Sequence, residues 1–302
     1  MSALRFHELT VKRVSPEAAG SVAITFAIPP DARDAFSFQP GQFLTLRATV
    51  NNEDVRRTYS ISSPRSRLSK AGELEIGIRP VEGGVFSNWA AQSIKAGDTL
   101  SVMPPDGRFV VKKQRAIHRV GFAAGSGITP ILSIAASTLE EQPESKFTLV
   151  YGNRRMSSVM FNEALQDLKD RYPNRLTLIH ILSRQAQEVD LLQGRIDGAK
   201  VQAIIDTLLP VGSMDEVFVC GPEAMIDLTV LDTGPGIPDG ERSKVIERFH
   251  RMDSARTQPG SGLGLSLVQS VADLHGGELV LADGTGPKET PGLKATLRLP
   301  RA

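Results

Sequence analysis

The rhythm of apolar residues changes at His118, and that change constrains the fold more than any other feature of the chain. From Arg5 to Lys113, short runs such as SVAITFAI, QFLTLRATV, ELEIGIRPV and TLSVMPP alternate apolar with polar residues, with Gly, Pro, Asn and Asp between them. A period of two with frequent turn residues predicts antiparallel strands, closed into a barrel. From His118 the order becomes HRVGFAA, a helix from about Pro130, KFTLVYG, a helix from MFNEALQDL, LTLIHILS, a helix in AKVQAIIDTLL, then EVFVCG. Strands alternating with helices predict a parallel sheet covered on its faces. After Asp227 the pattern changes again, to a strand LTVLD, a glycine-rich turn, an amphipathic helix GLSLVQSVADLHG, and the strands GELVLADG and LKATLRLP. The expected domains are 1–113, 114–227 and 228–302.

Composition removes several classes of function. With 35 basic against 34 acidic residues the net charge is +1, too little field to favour nucleic acid or anionic lipid. The single cysteine, Cys220, excludes an internal disulfide framework, an all-cysteine zinc site and an iron–sulfur cluster. No metal site is expected. The N-terminal MSALRFHELTVKRV has no apolar signal core, and the longest apolar tract, VGFAAGSGITPILSIAAS, is broken by glycines and a proline. A cytoplasmic chain with no membrane span is expected.

Chemistry-bearing residues cluster in four places. In RRTYSIS, strand alternation puts Arg57 and Tyr59 on one face and Ser60 on the other. A ring that can stack beside a guanidinium that can bind phosphate suits a flavin nucleotide, although a surface arginine and a core tyrosine would look the same. RPVEGGVFSNW supplies Arg79, then Gly83 and Gly84 ahead of Ser87, where backbone N–H groups entering a helix can cradle a pyrophosphate. GFAAGSGITP places Gly125 and Gly127 between a strand and a helix, a tight turn that brings amides to a phosphate, followed by Thr129 and Pro130. VYGNRR, ILSR and CGPEAM end the next three strands, the edge where ligands bind in open α/β sheets. Arg154, Arg155 and Arg184 there suit a 2′-phosphate, with no acid in place to take a ribose hydroxyl, so NADPH is favoured over NADH.

In this order the segments resemble the ferredoxin-NADP reductase superfamily, and most closely the reductase components of bacterial oxygenases, over residues 4–227. The family's Arg-x-Tyr-Ser motif is matched by Arg57, Tyr59 and Ser60, its Gly-x-x-Ser by Gly84 and Ser87, its Gly-x-Gly-x-x-Pro turn by Gly125 to Pro130, and its Cys-Gly-Pro by Cys220, Gly221 and Pro222. The resemblance implies FAD, more strongly than FMN. It puts Tyr59 on the isoalloxazine, Ser60 near the reactive N5, Arg57 and Ser87 on the pyrophosphate, and Thr129 and Cys220 by the nicotinamide. Hydride would pass from NADPH to FAD, and electrons from there to a separate acceptor such as a ferredoxin, an oxygenase component or a free acceptor. Related reductases carry a ferredoxin domain whose cysteines this sequence does not contain.

The segments LDTGPGIPDG, IERFHRMDSART and GSGLGLSLVQSVADLHGG resemble the second half of a sensor histidine kinase ATP-binding domain. That resemblance gives Asp232, Gly234 and Gly236 to an adenine pocket and Gly262 and Gly264 to the phosphates. Nothing before Asp232 supplies the helix whose asparagine would hold Mg²⁺, which argues against kinase activity and against ATP with Mg²⁺ as a cofactor. Only six residues separate Cys-Gly from LTVLD, too few for a parallel crossover, so LTVLD should begin a separate layer. That layer would need a cover, from the reductase part or from another chain by self-association. The expected class is thus α/β with an all-β N-terminal domain: an antiparallel flavin-binding β-barrel, a parallel-sheet nicotinamide-binding domain, and a partial α/β sandwich of the histidine kinase ATPase type. An ATP-sensing signalling module joined to a redox domain, or a fusion whose tail binds nothing, are the alternatives.

Overall fold

The computed structural model describes residues 5–111, 117–209, 213–222, 228–231, 235–247, 265, 269, 278–284, 287 and 291–298. They fall into two compact units, 1–221 and 222–302.

The first unit opens with six antiparallel strands: β1 (His7–Pro16), β2 (Val22–Ala27), β3 (Phe43–Val50), β4 (Glu53–Ser60), β5 (Glu73–Ile78) and β6 (Thr99–Val102), in the order β4-β3-β6-β1-β2-β5. A bridge between Ile61 and Ile76, with Ser62 N–H donating to Glu75 O at 2.8 Å, joins the two edges and closes the barrel. Alternation sends Leu9, Val11, Ile24, Phe26, Leu44, Leu46, Leu74 and Ile76 into one core. The β3–β4 hairpin turns on Asn51 and Asn52, both at positive φ (52° and 65°), the conformation that matches strand twist and that asparagine tolerates. Two helices accompany the barrel, α1 (Arg65–Ala71) and α2 (Val85–Ser93).

The same unit continues into a parallel sheet of β7 (His118–Ala124), β8 (Lys146–Asn153), β9 (Leu176–Leu182) and β10 (Glu216–Cys220), ordered β10-β7-β8-β9, with α3 (Ile128–Glu141), α4 (Asn162–Arg171) and α5 (Gly198–Thr207) between strands. Helix α3 begins at Ile128, two residues before the expected start, and Pro130 sits in its first turn, where a missing N–H leaves no bond unmade. Ile128 to Leu139 are all buried, so this helix is enclosed on every side. One side meets the sheet and another meets the barrel. There Ser133 Oγ donates to Ser63 O at 2.7 Å, Arg65 N–H donates to Ser137 Oγ at 3.0 Å, Arg65 pairs with Glu141, and Ser66 bonds Glu140. At the far end of the sheet Arg119, fully buried in β7, pairs with Glu216 at 2.8 Å and donates to Gln142 at 2.7 Å.

The second unit contains β11 (Leu228–Leu231), β12 (Glu278–Asp283) and β13 (Leu293–Arg298), an antiparallel sheet ordered β11-β13-β12, and a short turn of helix, α6 (Asp239–Arg242). The LTVLD segment pairs with β13 in its own sheet, the separate layer that the short connection predicts. The helix expected over GLSLVQSVADLHG lies outside the described residues except at Leu265 and Gln269.

Candidate functional site

The flavin-type residues come together at one end of the barrel. Tyr59, half-buried near the end of β4, lies 5.8 Å ring to ring from Phe86 in the first turn of α2, and Phe86 meets Trp89 edge-on at 5.4 Å. The Arg57–Tyr59–Ser60 strand and the Gly84–Ser87 turn are therefore neighbours. Burial pushes the Tyr59 hydroxyl up to about 12, so it stays a neutral donor at physiological pH. Arg57 is exposed and donates to the Arg56 carbonyl at 2.7 Å, and Ser60 is half-buried. Gly83 takes φ +71° with open space about it, whereas a Cβ on Gly84 would stand 2.5 Å from Ser87 Oγ. The turn leads into the first turn of α2, where Ser87 Oγ accepts from Val81 N–H at 3.4 Å.

The nucleotide-type residues meet at the carboxyl edge of the parallel sheet. Gly125 (φ +55°), Ser126 and Gly127 form a single tight turn between β7 and α3. A Cβ on Gly127 would lie 2.2 Å from the Cys220 carbonyl oxygen and 2.8 Å from Gly221 N, so α3 touches the end of β10 backbone to backbone. Thr129, buried, donates through Oγ1 to Ser126 O at 3.0 Å, and Pro130 follows in the core. Burial pushes the half-buried Cys220 thiol up to about 11, which leaves little thiolate for nucleophilic chemistry near neutral pH. Arg184 N–H donates to Arg154 O at 2.8 Å, so the loops after β8 and β9 are joined and present Arg154, Arg155 and Arg184 together at the surface. Gly221 closes the first unit, and Pro222 is exposed at the start of the second.

Arg79 reaches from the barrel to the turn after β7. It leaves the end of β5 half-buried, and its Nη1 stands 3.0 Å from where a Gly125 Cβ would be, against the turn of the parallel-sheet half. Sequence order associates Arg79 with the flavin turn, but only folding brings it to Gly125. Tyr151 belongs to the same corner: buried in β8, it donates to Gly125 O at 2.9 Å and holds the turn from beneath. A tyrosine within FTLVY, a run that reads as buried strand, was a legible signal, because a buried hydroxyl needs an acceptor.

Of the residues assigned to an ATP pocket, Gly236 has φ +74° and a Cβ there would approach Gly292 O at 2.8 Å, a requirement of the local turn. Asp232, Gly234, Gly262 and Gly264 lie outside the described residues. Among the described residues no His, Cys, Asp and Glu gather into a set that could hold a metal ion, and no helix is long and apolar enough to cross a membrane.

His180, opposite Tyr151 in β9, has both ring nitrogens buried without a hydrogen-bond partner, and burial lowers its pKa. A His180→Phe variant should therefore gain about 1 kcal/mol in thermal or urea unfolding, since a buried unmade bond disappears. The sign with pH is fixed. A base depressed on folding binds protons more readily when unfolded, so its penalty grows as pH falls below about 6.5 and vanishes above it. The variant's advantage should be larger at pH 5 than at pH 8, and equal gains would show that titration of His180 is not involved.

The Gly83–Gly84 turn thus stands beside Tyr59 in the barrel, and the turn held by Tyr151 stands against Cys220 at the carboxyl edge of the parallel sheet. Comparisons with known proteins give the types of domain. Residues 10–111 match the oxidoreductase FAD-binding domain, and residues 122–230 match the oxidoreductase NAD-binding domain. Residues 201–302 match the histidine kinase-, DNA gyrase B- and HSP90-like ATPase model, overlapping the preceding match over 201–230. The chain is 49% identical over 249 residues to one subunit of the 1,2-phenylacetyl-CoA epoxidase of Escherichia coli strain K12, covering 81% of this chain and 68% of that protein. It is 39% identical to the ferredoxin reductase component of 3-ketosteroid-9-alpha-monooxygenase of Rhodococcus rhodochrous, covering 72% of this chain and 58% of that one. The fold is shared with a ferredoxin NADP+ reductase from Neisseria gonorrhoeae, at TM-score 0.57 and 22% identity over 74% of this chain and 87% of that one. Barrel, parallel sheet, glycine turns and relatives converge: the chain belongs to the ferredoxin-NADP reductase family of FAD- and pyridine-nucleotide-binding oxidoreductases.

Proposed function

We propose that this chain takes hydride from NADPH onto FAD and delivers electrons to a separate protein acceptor, a ferredoxin or the oxygenase component of an epoxidase acting on an aromatic acyl-CoA such as phenylacetyl-CoA. The observation that carries the reading is the backbone contact of Gly127 with Cys220, which sets the start of α3 directly against the Cys-Gly pair. Bound FAD supplies acceptance of a hydride and its release as single electrons. The chain's own residues bind, orient and exclude water. Tyr59 offers a ring face and Ser60 a hydroxyl for N5. Arg57, Gly83, Gly84 and Ser87 hold the flavin pyrophosphate. Gly125, Gly127 and the first amides of α3 take the pyrophosphate of the pyridine nucleotide, with Thr129, Pro130, Cys220, Gly221 and Pro222 around the nicotinamide. Arg79, lying against Gly125, serves this second pyrophosphate as well as the flavin side. Residues 1–113 and 114–227 are read as the two cofactor domains. Cys220 alone cannot ligate an iron–sulfur cluster, so within these residues the flavin is the last carrier.

The decisive test is the visible spectrum of the purified chain with NADPH added anaerobically: a flavin spectrum that bleaches is expected, and a colourless protein or an unbleached flavin would sink the reading. Preference for NADPH rests on the paired loops that carry Arg154 and Arg184. Arg184→Ala should reduce the NADPH to NADH ratio of kcat/KM about tenfold, the worth of one charge-assisted bond to phosphate; an unchanged ratio removes Arg184 from the site.

For residues 228–302 we propose a partial histidine-kinase-like layer that binds no ATP, because half of the adenine pocket and the Mg²⁺ ligand have no counterpart in the sequence before Asp232. The ATPase model match over 201–302 favours the alternative of an ATP-binding module. A rise in Tm with millimolar ATP and Mg²⁺, lost in Asp232→Asn, would establish that alternative instead.

A further inference from the structure

Glu17 lies in the connection between β1 and β2, on the barrel and far in sequence from any nucleotide motif. Its carboxylate accepts a hydrogen bond from the backbone N–H of Phe161 at 2.7 Å, across the junction with the parallel-sheet half. Phe161 is unusual in its own right. Its φ of +58° and ψ of +30° are left-handed, and outside the barrel no other described non-glycine residue has a positive φ. Such a conformation persists only where its surroundings hold it, and strained positions of this kind gather at functional sites. The Phe161 ring fills the space that a side chain at Gly77 would need: a Cβ there would meet the ring at 2.7 Å and Thr129 Cγ2 at 2.8 Å. The ring is therefore inserted between β5 of the barrel and the first turn of α3.

From this point two links lead to the glycine turn. Thr129, beside the ring, donates to Ser126 O. Met160 O, one residue before Phe161, lies 3.5 Å from the Tyr151 hydroxyl, which donates to Gly125 O at 2.9 Å. Met160 thus meets one support of the Gly125–Gly127 turn, Phe161 lies with the other, Thr129, over Gly77, and Glu17 is what the barrel contributes to their backbone. We infer that Glu17 is a positioning residue that registers the pyridine-nucleotide turn against the flavin barrel by holding Phe161 in its left-handed conformation. Burial and the nearby carboxylates of Glu75 and Glu163 push the Glu17 carboxyl upward, so glutamine, neutral and of the same length, keeps the acceptor without that electrostatic load.

This inference rests on the proposal that the turn binds a pyridine nucleotide, and its test separates the two. Glu17→Ala, Glu17→Gln and the parent are compared by amide hydrogen exchange and by the Kd for NADP+. The alanine variant should exchange the Phe161 amide at least about tenfold faster and bind NADP+ at least about fivefold more weakly with FAD content unchanged, and the glutamine variant should stay within about twofold of the parent in both. Faster exchange in Glu17→Ala with unchanged NADP+ affinity would overturn the inference, as would unchanged exchange. A parent that binds no NADP+ would instead refute the nucleotide reading, and the exchange comparison would still decide whether Glu17 holds Phe161. If the alanine variant does not fold, Glu17→Asp, which draws the carboxylate back by one methylene, makes the same comparison with smaller changes in the same direction.

Discussion

A Gly127→Ala variant is expected to lose pyridine-nucleotide binding and to unfold at a temperature roughly 6–12 °C lower, reflecting a loss of about 3 kcal/mol or more in a unit of this size. The added Cβ would sit 2.2 Å from the Cys220 carbonyl oxygen, 2.5 Å from its carbon and 2.8 Å from Gly221 N. All three are backbone atoms at the end of a paired strand, so no side chain can rotate away. Either α3 withdraws from β10, which opens a core buried from Ile128 to Leu139, or β10 slips in its pairing with β7. Both displace the turn from the Cys-Gly pair. The measurement is thermal unfolding together with NADP+ titration, and Gly198→Ala is the control. A Cβ at Gly198, at the start of α5, meets nothing within 4 Å, so that change should be neutral or add a few tenths of a kcal/mol, about 0.5. Equal Tm values for the Gly127 variant and the parent would mean that the contact between α3 and β10 is not made.

Arg119→Met should lower stability by about 3–5 kcal/mol, the usual consequence of removing one member of a buried ion pair. Arg119 is wholly buried and holds Glu216 at 2.8 Å and Gln142 at 2.7 Å, tying the first residues of β7 and β10 to the end of α3. Methionine fills similar volume but offers neither charge nor donors, and the Glu216 carboxylate is only 12% exposed. Adding Glu216→Gln should restore part of the loss, because the desolvated charge goes with it. Urea unfolding of the two single variants and the double variant measures the coupling. Additive losses would show that Arg119 does not act through Glu216. Nucleotide affinity should change little in either case, since the pair lies at the end of the sheet opposite the glycine turn.

The parts legible in sequence were those specified by local chemistry. Alternation defines barrel strands because successive side chains take opposite faces, and the glycines at 83, 125 and 127 marked tight turns because each takes left-handed backbone or space that a side chain cannot share. Tyr59 with Phe86, and Gly127 with Cys220, then came together by folding, and no spacing along the chain could have joined them. Arg79 illustrates the difference: its motif neighbours are Gly83 and Gly84, yet its guanidinium rests against Gly125. Glu17 and Phe161 carry no motif, and their relation is a single hydrogen bond between residues 144 positions apart. His180 reads as one more residue in an apolar strand, and only the packing around it leaves both nitrogens without partners.

By itself, then, the sequence determined the order of barrel, parallel sheet and separate C-terminal layer, and the residue types at each glycine turn. These follow from side-chain period and from steric limits within a few residues. Tertiary structure alone decided which turns face one another, which carboxylate accepts from the Phe161 amide, and where the Arg79 guanidinium rests, because such contacts depend on bringing distant backbone segments within about 3 Å, a distance set by the packing of whole elements rather than by any local preference.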